Sequence, residues 1–237
     1  MNNIVYLLQN YYPLFIEGLY VTLLVAIIGT FGGIILGLGL YFLRALKVHF
    51  TDKSIKRLSK KFFSFLATAY IDIIRGTPMI VQGALFWYGF AAHLNMNILV
   101  AATIIIAFNT AAYIAEIIRS GVIALGIGQI EAGQSLGMSR FQIMLRIIFP
   151  QAIKNSLPSL LNELIVNIKD SSVLSIIGLT DLFYNARGAA SESLLVNQAY
   201  VIVAVIYFII TFSLSKIISY VVEKKTNNKY DIKSTSV

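Results

Sequence analysis

Five apolar runs separated by short polar segments set the pattern of this chain. They cover residues 19–43, 62–92, 98–118, 157–178 and 198–218. Each is long enough for a helix that crosses a hydrocarbon core of about 30 Å. The pattern predicts an all-α, polytopic membrane protein with a single transmembrane domain over 1–237. In the first run, Gly29 and Gly33 form a small-xxx-small pair that lets a second helix approach closely. The second run is interrupted at Arg75-Gly76-Thr77-Pro78, where proline removes a backbone donor and a kink is expected. A break at membrane depth is tolerated where it is buried in protein or lines a cavity. The other reading is an interfacial start to the span, with Asp72 and Arg75 paired at i, i+3.

The third run ends on Glu116 and Arg119, three residues apart, which predicts a structural ion pair; the alternative is a direct role towards a solute. The fourth run is unusually polar. Glu163, Asn167 and Asp170 recur at spacings of four and three, so they share one helix face, with Ser159 a turn before. Ionisable groups at membrane depth face a bundle interior or a watery cavity. Two readings follow: a buried polar ladder, or a path for a polar solute in which Glu163 meets an ammonium or guanidinium.

One stretch, residues 128–149, is polar where its flanks are apolar. Glu131 to Leu136 are mostly good helix formers. Gly137 can take the positive φ of a helix terminus. Ser139 and Gln142 stand at capping-box spacing for a second helix, carrying Phe141, Leu145 and Ile148. Pro150 is expected to end that helix by displacing residue 149 from the α region. The result is a compact elbow exposing Glu131, Gln134 and Arg140. It suits either docking on another protein or lying on the lipid surface.

Composition sharpens this picture. Of 237 residues, 57% are hydrophobic and 13% charged, with mean hydropathy +0.77, which excludes an ordinary soluble domain. The net charge of +8 is concentrated between the runs. Arg44, Lys47, Lys53, Lys56, Arg57, Lys60 and Lys61 face a single acid, Asp52, and further lysines follow the last run. The positive-inside bias places these segments in the cytoplasm, the N-terminus outside and the C-terminus inside, and explains the basic charge without nucleic acid. There is no cysteine, and His49 and His93 are far apart, so no metal site is expected. The start, Met1-Asn2-Asn3, lacks the basic region of a cleavable signal. The segment 181–197 reads as an external loop.

The elbow resembles the signature loop of permease subunits of ABC importers, in which Glu-Ala-Ala, a glycine four residues on and a hydrophobic-Pro-Gln-Ala box follow in order. Here these are Glu131-Ala132-Gly133, Gly137 and Phe149-Pro150-Gln151-Ala152, with Gly133 in place of the second alanine and Phe149 where leucine is common. The stretches Arg75-Gly76-Thr77-Pro78-Met79-Ile80-Val81-Gln82, 113–121, Asn162-Glu163-Leu164-Ile165 and Lys169-Asp170-Ser171-Ser172 resemble the polar amino acid subfamily.

The resemblance implies a plasma-membrane permease subunit of a bacterial importer for polar amino acids, not itself an enzyme. Its partners would be two ATP-binding subunits, a second permease subunit, identical or homologous, and an extracellular or periplasmic amino acid-binding protein. ATP and Mg would be bound by the partner and no cofactor by this chain, which lacks a G-x-x-x-x-G-K-[ST] loop. Glu131, Ala132, Gly133, Gly137 and Arg140 would couple to the ATPase. Arg75, Thr77, Pro78, Gln82, Asn162, Glu163, Asn167 and Asp170 are candidates for the substrate pathway. The rival from another class is a stand-alone secondary transporter or channel using Glu163 and Asp170 as an ion relay. No inverted repeat is visible to support it.

Overall fold

The computed structural model describes residues 2–46 and 54–234, with side chains described over 3–46 and 55–224. Lys47, His49, Asp52 and Lys53 lie outside the described residues, and so do the side chains of Lys225, Lys229 and Lys233. The described chain is almost entirely helical, with short turns between the helices. Helix α1 (Asn2–Arg44) is followed by α2 (Ser54–Gly76), and α3 (Met79–Phe86) runs into a π turn, Trp87–Ala91. Then come α4 (Ile98–Ile123), α5 (Gly128–Ser135) and α6 (Arg140–Ile143), the last leading into a second π turn, Met144–Ile148. Helix α7 (Phe149–Asp170) tightens into a 3-10 segment, Ser171–Ile177, before α8 (Leu182–Ser193) and α9 (Val196–Ser234). Among the described residues, 3–44, 98–123 and 196–224 form helices long and apolar enough to cross a membrane.

Helix α1 is the mast of the bundle: it contributes to all three buried apolar clusters. It packs most closely on α4. A Cβ on Gly33 would lie 2.6 Å from the Cβ of Thr110, and one on Gly37 2.6 Å from that of Ile114. The small-xxx-small spacing thus continues one turn beyond the pair visible in the sequence. Close backbone approach matters in lipid because burial of apolar surface there drives little association. The contact is pinned by polar side chains. Asn167 of α7 donates to Thr30 Oγ1 of α1 at 2.7 Å and to Thr110 Oγ1 of α4 at 2.9 Å, in a fully buried knot.

The run 62–92 is divided at Gly76–Pro78, where the kink was expected. The carbonyl of Ile74 would normally accept from residue 78, but proline has no N–H. Gln82 Nε2 replaces it, reaching Ile74 O at 2.8 Å and Thr77 Oγ1 at 2.8 Å, while Gln82 Oε1 accepts from Asn109 of α4 at 2.9 Å. Gln82→Leu would strip these partners from partly buried groups. The expected cost is about 1–3 kcal/mol, read as a lower melting temperature of the purified protein; an unchanged melting temperature would mean water substitutes fully.

Two local expectations are corrected. Pro150 does not end a helix: Phe149 is α-helical at φ −60° and ψ −45°, and α7 continues through Pro150 to Asp170. The π turn explains this. Phe149 N–H pairs with Met144 O, five residues back, and the widened register relieves the clash that proline makes in an ordinary α turn. Helix α7 therefore begins well before 157 and passes through Pro158. The segment 181–197 is no simple loop, since most of it is α8. Asp181 caps α8 by accepting from Tyr184 N at 2.9 Å, and Leu182 N donates to Thr22 Oγ1 of α1. Asp181 is fully buried there; burial pushes its carboxyl up to about 6, against the Tyr184 N–H that favours the anion.

Candidate functional site

The elbow is built from local chemistry. Gly137 sits at φ +74°, with its N–H on Gln134 O, and Met138 N–H reaches back to Gly133 O at 3.1 Å. This is the paired closure of a Schellman helix end. Ser139 Oγ then accepts from Gln142 N at 3.3 Å while Gln142 Oε1 accepts from Ser139 N at 2.8 Å, completing the capping box. Gly133 lets α5 fold onto α6: a Cβ there would lie 2.7 Å from Ile143 Cγ1. The elbow turns outward with Glu131, Gln134 and Arg140 exposed, together with Leu136 at 79% and Phe141 at 74% exposure. A cleft of about 560 Å³ separates it from the last turns of α1, with Tyr41, Phe42, Lys60, Glu131 and Arg140 among its walls.

Deeper in the bundle, Glu116 joins three helices. Arg44 Nη1 of α1 donates to its Oε2 at 2.7 Å, and Arg119 Nε of α4 donates to its Oε1 at 2.8 Å. Arg75 Nη1 of α2 lies 3.7 Å from Oε2, with its guanidinium over the Tyr113 ring at 5.8 Å. The pair read from the sequence is thus half of a four-residue cluster. Arg44 and Arg75 were missed as its members because they come from other helices. Arg75 turns to Glu116 rather than to Asp72, which makes no ion pair among the described residues.

Beside this cluster is a cleft of about 480 Å³, lined by Arg75, Tyr113, Glu116, Ser120, Ser159 and Glu163 among others. Of the residues singled out for a solute path, it gathers Arg75 and Glu163. Thr77, Pro78 and Gln82 instead shape the helix break, and Asn162 is exposed. Asn167 shares a helix face with Glu163 in the sequence, but its amide is held in the knot with Thr30 and Thr110. Asp170 is half-buried at the end of α7.

Residues 54–228 match the family described as binding-protein-dependent transport system inner membrane component. The chain belongs to this family. As a family member it has full-length relatives. It is 33% identical over 229 residues to the probable glutamine ABC transporter permease protein GlnM of Bacillus subtilis, covering 96% of this chain and all of the relative. The glutamine transport system permease protein GlnP of Escherichia coli K12 is 33% identical, covering 87% and 90% of the two chains. A crystal structure of an amino acid ABC transporter with histidines superposes with TM-score 0.81 at 38% identity, covering 92% of this chain and 96% of that one. The inward-facing MetNI methionine ABC transporter, at 20% identity and TM-score 0.67, shares the fold. The family match begins at the start of α2, so α1 precedes it.

Proposed function

We propose that this chain is a permease subunit of an ATP-driven importer that moves polar amino acids across the bacterial cell membrane. The carrying observation is the elbow: a doubly capped, rigid corner that displays Glu131, Arg140, Leu136 and Phe141 on one end of a membrane bundle. Apolar side chains this exposed at a polar corner suit a protein partner. In this reading the partner is an ATP-hydrolysing subunit, two copies serving a pair of permease subunits, and an external binding protein delivers the solute. ATP and Mg act in that partner. The amino acid class is supported by the glutamine transport named for two relatives and by the solved neighbour described as an amino acid ABC transporter with histidines.

The solute path in this proposal runs along the cleft beside α7. Arg75 and Glu163, opposite charges on its wall, suit the carboxylate and ammonium of a zwitterion. ATP shifts the pathway between its states only to the extent that its binding differs between them.

Glu131→Arg tests the docking assignment. Glu131 is exposed and outside the elbow's hydrogen-bonded corner, except through its backbone carbonyl, so the variant is expected to fold and insert. Uptake should fall at least about tenfold, the factor that 1.4 kcal/mol represents, with the protein still recovered from membranes. Normal uptake would remove Glu131 from the interface.

A further inference from the structure

The first turns of α2 stand apart from the rest of the bundle. From Ile55 to Phe63 every side chain is exposed except that of Lys60, which is half-buried. Two residue classes divide this surface. At 100° per residue, Ile55, Leu58, Phe62 and Phe65 fall within an arc of about 80°. Lys56, Arg57, Lys60 and Lys61 lie outside that arc, around the rest of the same turns. The apolar arc is bare: Ile55 is 85% exposed and Leu58 70%. It continues along the helix to Leu66, also exposed, so the stripe extends from Ile55 over some 11 residues, roughly 17 Å, before exposed Asp72 enters the same arc ahead of Ile73. The other face of α2 is the one that packs, through Ala67 and Ile71, both buried. Ser64 Oγ donates to Arg44 O and ties this segment to the last turn of α1.

An exposed apolar stripe of that length is not stable in water and spans about one leaflet, half of a bilayer's hydrocarbon layer of about 30 Å. The cations occur only along its first turns. Lysine and arginine placed there keep their stems along apolar surface and their charges in the headgroup layer. Lys60 shares a cleft wall with Arg140 of the elbow, which fixes the leaflet concerned as the one on the elbow's side.

We propose that residues 55–65 form a binding site for anionic phospholipid, with acyl chains along Ile55, Leu58, Phe62 and Phe65 and the phosphodiester headgroup held by Lys56, Arg57 and Lys61. Charge complementarity selects the occupant. A basic amphipathic segment next to a membrane span attracts anionic headgroups, whereas a protein partner gives no reason for cations to cluster at one end of a bare apolar stripe. The inference does not depend on what the protein transports.

The absence of cysteine allows a clean test. Leu58→Cys, labelled with bimane, is placed in nanodiscs of phosphatidylcholine with about 30% phosphatidylglycerol, and one lipid at a time carries brominated chains as quencher. Per mole of lipid, brominated phosphatidylglycerol should quench at least about threefold more than brominated phosphatidylcholine. That preference should fade as salt rises from about 0.05 to about 0.5 M. It should vanish when Lys56, Arg57 and Lys61 all become glutamine and survive when the two lysines become arginine. Equal quenching by the two lipids overturns the site. Absence of quenching by either, or cross-linking of the thiol at position 58 to a protein partner, overturns it as well, because the stripe would then be covered by protein.

Discussion

Gly37→Leu will separate α1 from α4 and lower the melting temperature by about 6–12 °C. A Cβ on Gly37 would lie 2.6 Å from Ile114 Cβ and 2.7 Å from the carbonyl oxygen of Ala111. A side chain could rotate away, but a helix carbonyl cannot, so the helices must part. Overpacking of this kind costs about 3 kcal/mol at the upper end of its usual range, and each kcal/mol moves a protein of this size by about 2–4 °C. The damage spreads because the same helix pair carries Thr30 and Thr110, the acceptors of buried Asn167. Gly39→Leu is the control: a Cβ there meets nothing within 4 Å. It should leave the melting temperature within about 2 °C, which is below 1 kcal/mol. Equal effects at the two positions would show that glycine loss in α1, and not the contact with α4, is being measured.

Glu116→Gln should be nearly as damaging, for an electrostatic reason. The carboxylate is the common partner of Arg44, Arg75 and Arg119, and its side chain is only 16% exposed. Glutamine preserves the shape and removes the charge, leaving three guanidinium groups facing one another. Breaking a buried pair costs about 3–5 kcal/mol. Here Arg75 and Arg119 stay partly in water, at 39% and 41%, so about 2–4 kcal/mol is expected after screening. Glu116→Asp, which keeps the charge on a shorter stem, should recover part of the loss. A glutamine variant as stable as the parent would mean the three arginines are held apart by the helices alone.

What the sequence disclosed of this structure was local. The elbow's corner at Gly137, its capping box and the break before Pro78 each depend on groups within a turn or two, and spacing alone exposes them. The pair Glu116–Arg119 belongs to the same class. What stayed hidden was convergence across the bundle. Arg44 reaches Glu116 from 72 positions away, and no periodicity links them. Asn167 illustrates the limit of a helical wheel. The wheel groups Asn167 with Glu163 but does not say which part of that face meets a cleft and which meets another helix. The signal that was available lay in Thr30 and Thr110, hydroxyls within long apolar runs, each in need of a buried partner. Pro150 shows a local rule overridden by context. Its effect on residue 149 is real in a regular α-helix, but the five-residue register of Met144–Ile148 removes the conflict. Of the candidate site, the elbow's shape was readable from sequence, whereas the assembly of Arg75, Glu116 and Glu163 around one cleft required the fold.

The most direct test is transport by the protein purified with whatever subunits accompany it and reconstituted in sealed vesicles with its external binding protein. Uptake of labelled polar amino acids would be followed with ATP supplied on the elbow side, and again with ionophores that collapse proton and sodium gradients. The proposed function predicts that an ATP-hydrolysing subunit copurifies, that uptake requires ATP, and that it survives collapse of both gradients. Uptake by the chain alone, without ATP and abolished by an ionophore, would contradict it and point to Glu163 and Asp170 as relay groups of a gradient-driven carrier.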